Sequence, residues 1–114
     1  MVGETDANRG PRLQRGEFGL LLMALLAERQ MYGYELLAEL RTRTDAVVDL
    51  PEGTIYPALR RLEHDGLIVG RWMAVPDAPR RRYYGLTSAG EKALGEGRVE
   101  WRRFVRASEA VLGR

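Results

Sequence analysis

Gly53-Thr54-Ile55-Tyr56-Pro57-Ala58-Leu59-Arg60-Arg61-Leu62-Glu63-His64-Asp65-Gly66-Leu67-Ile68, with Arg80-Arg81-Arg82-Tyr83-Tyr84 a short way on, is the stretch that decides the fold. Ile55, Leu59 and Leu62 recur at i, i+4 and i+7 and so share one face of a helix, while Pro57, Arg60, Arg61 and His64 project from the other. One face is built for burial and the other offers cations. Asp65-Gly66 supplies the stop, because glycine takes the left-handed conformation that a helix end requires, and Ile68-Val69 continue as an extended chain. Pro57 fits such a helix best if Thr54 is the N-cap, which puts the proline in the first turn, where no amide donor is needed. A helix starting earlier would have to kink at the proline.

Leu67 to Val75 and Arg80 to Leu86 are rich in β-branched, aromatic and aliphatic residues, and Pro76-Asp77-Ala78-Pro79 between them is turn chemistry. The expectation is a two-stranded hairpin with a four-residue tip. Three arginines begin its return strand, so guanidinium groups stand on both faces of the ribbon near the tip. A solvated turn would account for an isolated arginine run. Coupled to the preceding amphipathic helix, a phosphate backbone is the better partner.

With 114 residues and 45% hydrophobic content the chain makes one domain with a small core. The formal charge of +2 is unevenly spread: residues 1–50 hold six basic and eight acidic groups, residues 51–114 twelve and eight. Seventeen of the eighteen basic residues are arginine, suited to bidentate contact with phosphate or a guanine edge, although genomic base composition also produces such a bias. Without cysteine there is no disulfide, thiolate metal site or thiol switch, and His64 is the one imidazole, so no metal or other cofactor is expected. The longest apolar run, Phe18 to Ala27, falls far short of the roughly 20 residues that span a bilayer, and a cytoplasmic location is expected. No nucleophile-and-base pattern, phosphate-cradling glycine loop or metal-ligand cluster signals an enzyme.

Residues 1–16 lack periodicity and read as a flexible arm, whose Arg9, Arg12 and Arg15 are within reach of phosphates. From Glu17 the character changes. Phe18, Leu21, Leu22 and Leu25 form one helical stripe, yet Leu20, Met23 and Leu26 are apolar too, so this first helix needs cover on two sides. The second cover is either another subunit or the chain's own last helix. Met31-Tyr32-Gly33-Tyr34-Glu35 leads into a second helix through Leu36, Leu37 and Leu40, with Gly33 at a helix start or a close contact. After the hairpin, Thr87 and Ser88 are candidate N-caps, and Ser88 with Glu91 makes a capping box. In the helix that follows, Leu94, Gly97, Trp101, Phe104, Ser108 and Val111 recur at steps of three and four, the spacing by which one helix packs along another. Gly95 and Gly97 within it signal a bend or a close crossing. The fold class is mainly α with a small β-hairpin (α+β): a winged helix-turn-helix over residues 17–86 and a helix for dimerisation over residues 87–114.

Tyr32-Gly33-Tyr34-Glu35-Leu36, the run from Glu52 to Glu63, Asp65-Gly66-Leu67-Ile68, Arg81-Arg82-Tyr83-Tyr84 and Leu86-Thr87 together closely resemble the PadR family of bacterial transcriptional regulators. The resemblance covers Phe18 to Leu112. It implies a homodimer whose third helix enters the DNA major groove at an inverted-repeat operator while the wing grips the flanking backbone or minor groove. Carried over, Thr54, Tyr56, Pro57, Arg60 and Arg61 fall on the recognition helix and Arg80, Arg81, Arg82 and Tyr83 on the wing. By helical angle Arg60 and Arg61 touch bases or phosphates, Tyr56 either donates to a phosphate or packs, and His64 ends the helix with help from its dipole. The expected dimer interface comprises Phe18, Leu22, Met23, Leu94, Trp101, Phe104, Val105, Val111 and Leu112.

The single closing helix resembles the compact PadR subgroup, in which some members are repressors that hold flat apolar ligands between subunits. Trp101 matches an aromatic position lining that pocket, with Phe18, Met23 and Phe104 as its neighbours; core or interface packing is the plainer role. Trp72 is expected to pack the wing against the body. The chain departs from the family's common pattern at Pro79, near which a glycine is usual, and at Gly85, where a larger residue is common. The expected function is a DNA-binding repressor, relieved when a ligand shifts the two heads out of the spacing of one helical turn, about 34 Å. The rival is a winged-helix protein–protein adaptor without DNA readout, and a more remote one a small-molecule carrier.

Overall fold

The computed structural model describes residues 16–113, so that Arg9, Arg12, Arg15 and the arm assigned to residues 1–16, except Gly16, lie outside the described residues. The element order is α1 (Gly16–Leu26), β1 (Met31–Tyr32), α2 (Gly33–Arg43), α3 (Glu52–His64), β2 (Ile68–Val75), β3 (Ala78–Leu86) and α4 (Ser88–Leu112). The expected hairpin gains a third strand: β1 pairs antiparallel with β3 through Met31 with Tyr84 and Tyr32 with Tyr83, giving the sheet order β1-β3-β2. Two residues carry no periodicity, so β1 was invisible in the sequence pattern.

Helix α3 starts before the expected Thr54 cap. Pro51 is the N-cap in an extended conformation, and its carbonyl accepts from the N–H groups of Thr54 at 2.9 Å and Ile55 at 3.3 Å. Glu52 then brings a negative charge to the first turn, where the helix dipole favours it. Pro57 therefore sits inside the helix, and the carbonyl deprived of a donor is that of the exposed Gly53, where water can serve it. Ile55, Leu59 and Leu62 are buried and Pro57, Arg60, Arg61 and His64 exposed, as the spacing predicts.

The stop at Asp65-Gly66 is also where it was read. Gly66 has φ of 77°, and the N–H of Leu67 donates back to the Leu62 carbonyl at 3.0 Å. The hairpin tip is tighter than expected, since Ala78 already pairs with Val75 and only Pro76-Asp77 turn the chain. Asp77 takes φ of 55°, a conformation tolerated by a short polar side chain. A register shift between Met73 and Val75 leaves Pro79 opposite the irregular stretch of the ladder, where a residue without an N–H is accommodated.

The core is a single cluster that includes Leu22, Leu25 and Leu26 of α1, Met31 of β1, Leu36 and Leu40 of α2, Ile55, Leu59 and Leu62 of α3, Ile68 and Tyr84 of the sheet, and Leu94 of α4. Helix α1 is thus covered in part by the protomer's own last helix. Gly97 is where the two cross, for a Cβ there would stand 2.5 Å from Leu20 Cδ1, which explains the glycine as a close crossing. Past that point α4 leaves the body: Trp101, Phe104, Val111 and Leu112 are exposed along a helix of 25 residues, about 37 Å long at the standard rise. Among the described residues no helix is long and apolar enough to cross a membrane.

Thr87, not Ser88, caps α4. Its Oγ1 accepts from the Gly90 N–H at 3.0 Å and lies 2.8 Å from the Gly66 carbonyl and 3.0 Å from that of Leu67, to which it donates. Ser88 is consequently the first helical residue, and the expected Ser88–Glu91 capping box does not form. Gly90 stands against the Leu67 carbonyl so closely that a Cβ would overlap it. Replacing Gly90 by alanine is expected to lower the unfolding free energy by about 1–3 kcal/mol through overpacking. In the same urea titration Gly95→Ala is expected to raise it by roughly 1 kcal/mol, because that helical glycine faces open space.

Candidate nucleic-acid interface

The outer face of α3 carries Pro57, Arg60, Arg61 and His64, all exposed, with Thr54 half-buried beside them. Neither Arg60 nor Arg61 forms an ion pair with another described residue, so both cations are available to a ligand. Tyr56 is placed otherwise. Its ring lies against Gly33 at the start of α2, with Cζ 2.7 Å from where a Cβ would be, so any larger residue at position 33 would push α3 away from α2. Burial, together with the Glu52 carboxylate and Tyr32, pushes the Tyr56 phenol up and keeps it protonated. Of the two roles weighed for Tyr56, packing is the one its surroundings favour.

The wing arginines divide by strand alternation. Arg81 and Tyr83 share one face with Tyr32 of β1: the Arg81 guanidinium lies 4.5 Å from the centroid of the Tyr32 ring, and the Tyr32 and Tyr83 rings meet edge-on at 5.3 Å. Arg80 and Arg82 belong to the opposite face with Tyr84. Arg80 is exposed, whereas Arg82 Nη2 lies 2.6 Å from Oε2 of Glu63, an ion pair whose two side chains are each 30% exposed. The same Glu63 oxygen accepts from the Gly70 N–H of β2 at 3.1 Å. One carboxylate on α3 therefore holds both strands of the wing. Guanidinium groups stand on both faces of the ribbon, as expected from the alternation, but in different settings: Arg80 is exposed, Arg81 is half-buried over Tyr32, and Arg82 is turned inward as a brace.

Trp72, expected to pack the wing on the body, is instead 57% exposed, and Arg80 and Arg82 each approach its ring to 5.6 Å. Arg71 on β2 is exposed as well. Glu63 escaped the sequence reading, although its being the one acid between Arg60 and His64 on α3 was a signal that it serves a partner rather than the outer face. Tyr84 is buried and its phenol is pushed up by that burial, with Arg82 opposing.

The residues expected at a dimer contact also divide. Leu22, Met23 and Leu94 are only 0%, 6% and 3% exposed in the protomer's own core, so they offer no surface to a second subunit, and Met23 cannot line a pocket open to one. Phe18 and Val105 are half-buried, and Trp101, Phe104, Val111 and Leu112 are exposed, with the Trp101 and Phe104 rings 5.9 Å apart.

Three helices, a wing braced to the third of them and a long closing helix make a winged helix-turn-helix. Residues 21–96 match the family described as the transcriptional regulator PadR-like family. The chain belongs to that family. It is 37% identical over 100 residues to the transcriptional regulator Rv3488 of Mycobacterium tuberculosis, covering 88% of this chain and 87% of the other. Among solved structures, a transcriptional regulator from Clostridium thermocellum superposes with a TM-score of 0.77 at 30% identity, covering 83% of this chain and 89% of that one. A PadR family transcription regulator from Clostridium difficile gives 0.73 at 33% identity, covering 82% and 96%. This PadR-like chain is thus a transcriptional regulator and not an enzyme.

Removing the brace should show in stability. Arg82→Ala is expected to cost about 1–3 kcal/mol, the loss of a partly buried charged hydrogen bond. Arg80→Ala, at an exposed site, is expected to stay within about 0.5 kcal/mol of the parent in the same chemical denaturation.

Proposed function

We propose that this PadR-like regulator is a cytoplasmic homodimer that reads an inverted-repeat operator in double-stranded DNA and represses transcription from it. The observation that carries the reading is the cationic face of α3, with Arg60 and Arg61 uncommitted, standing beside a wing on which Arg80 is exposed and Arg81 half-exposed. A helix with exposed arginines fits the major groove, where a guanidinium meets the O6 and N7 of guanine, and the wing then lies over the flanking phosphates. Thr54 and Pro57 line the start of the same face, and Tyr83 stands beside Arg81 on the wing.

The dimer is supported by the apolar stripe Trp101, Phe104, Val105, Val111 and Leu112 on α4, most of it exposed in the protomer. Two copies facing each other along this stripe would set the distance between the two α3 helices. The Trp101–Phe104 pair also supports relief of repression by a flat apolar ligand held between the subunits, which would act by changing that distance.

Fluorescence anisotropy on duplexes tiled across the DNA upstream of the protein's own gene, at two salt concentrations, tests the DNA reading. Tight, salt-weakened binding to one inverted repeat is the expected result, and weak uniform binding or none would favour the adaptor. Arg60→Ala with Arg61→Ala should abolish preference for the repeat, while Arg81→Ala should lower the slope of log affinity against log salt by about one. Sedimentation should give a dimer for the parent and a monomer for Trp101→Glu with Phe104→Glu.

A further inference from the structure

We infer that Trp72 is a DNA-backbone contact of the wing, its indole N–H donating to a phosphate and its ring lying on the adjoining deoxyribose, and that the Glu63–Arg82 ion pair positions it. The inference deepens the DNA reading above and rests on it. Directly paired residues of an antiparallel ladder point to the same side, so Trp72, opposite Arg82, shares a face with Gly70 and Tyr84. Tyr84 is buried in the core, and Glu63 of α3 bonds to both Gly70 and Arg82. That face is therefore the one α3 packs against. Trp72 lies on it one alternation beyond the last backbone contact with α3, at about 7 Å further along the strand by the standard rise. It stands at the mouth of the angle between recognition helix and wing, which is where a duplex lying in contact with both would pass.

The exposure of the ring lacks a folding rationale, since a tryptophan buried against the body would remove some 150–250 Å² of mostly apolar surface from water. Two guanidinium groups, those of Arg80 and Arg82, instead approach the ring, each 5.6 Å from its centroid. Glu63 neutralises Arg82 and holds it, whereas Arg80 has no acidic partner among the described residues. The result is an aromatic surface with a lone N–H donor and a net positive margin. Phosphate oxygens suit the donor and the cation, and a sugar face suits the ring, so the nucleic-acid backbone satisfies all three at once.

Anisotropy on the operator duplex with the full-length protein, joined to indole emission, tests this. Trp72→Ala is expected to weaken operator binding by about tenfold or more, equivalent to roughly 1.4 kcal/mol, with the melting temperature and the salt slope unchanged because no charge is removed. Operator addition is expected to change the emission of the parent and its quenching by acrylamide. That change should vanish in Trp72→Phe, which retains Trp101 as the one indole and, having lost the N–H donor but kept a ring, is expected to bind more weakly than the parent and no more weakly than Trp72→Ala. Unaltered operator affinity in Trp72→Ala, or an emission change that survives in Trp72→Phe, overturns the inference while leaving the DNA reading intact. Should Trp72→Ala fold poorly, the emission comparison with Trp72→Phe decides alone. Failure of the parent protein to bind any duplex overturns both readings together.

Discussion

The end of the recognition helix and the start of the long closing helix are tied together by a knot of hydrogen bonds at the end of α3. The Leu67 N–H closes back on Leu62, the carbonyls of Gly66 and Leu67 turn toward Thr87, and Thr87 in turn caps α4 through the Gly90 N–H. Four chain directions are set within a few residues: the end of the recognition helix, the departure of β2, the return of β3 and the start of the long helix. Gly90 makes the approach possible, because any side chain there would collide with the Leu67 carbonyl. The end of α3 and the start of α4 are thus joined through Leu67, which bonds to Leu62 on one side and to Thr87 on the other.

The Glu63 carboxylate does for the wing what that knot does for the long helix. A two-stranded ribbon alone is marginally stable, and this one projects beyond the body with β1 pairing only at its base. Bonding to Gly70 on one strand and Arg82 on the other, Glu63 locks the ribbon to α3 through two charge-assisted contacts. The arrangement spends one arginine on geometry and leaves Arg80 exposed and Arg81 half-exposed.

The long elements were legible because their periods were long enough to count. Ile55, Leu59 and Leu62 identified the buried face of α3, and Asp65-Gly66 its end. The misreadings lie where the local signal was short or ambiguous. Strand β1 has two residues; the start of α3 depended on whether Pro51 or Thr54 capped it; the tip closed over two residues in place of four; and Thr87 displaced Ser88 as a cap because the Gly66 and Leu67 carbonyls reached it. For the α4 cap local sequence offered two candidates and a distant partner chose between them; at the other points the signal was too short to read. The motifs that resemble the PadR family were more informative about membership than any single period, since several of them in order outweigh the ambiguity of each.

The order of helices, wing and closing helix, the cationic side of α3 and the apolar stripe of α4 follow from the sequence alone, because hydrophobic spacing and turn chemistry act over a few residues. Which members of each set face outward was decided only in three dimensions. Arg82 resembles its two neighbours in sequence, but strand alternation brings it to Glu63. Leu22, Met23 and Leu94 resemble the half-buried and exposed apolar residues of the same helices, but they fall in the core cluster of one protomer. Trp72 reads as a packing residue, yet the sheet carries it past the edge of the body. In each case residue type set the chemistry, while the long-range approach of other elements determined whether that chemistry was consumed inside the fold or left at its surface.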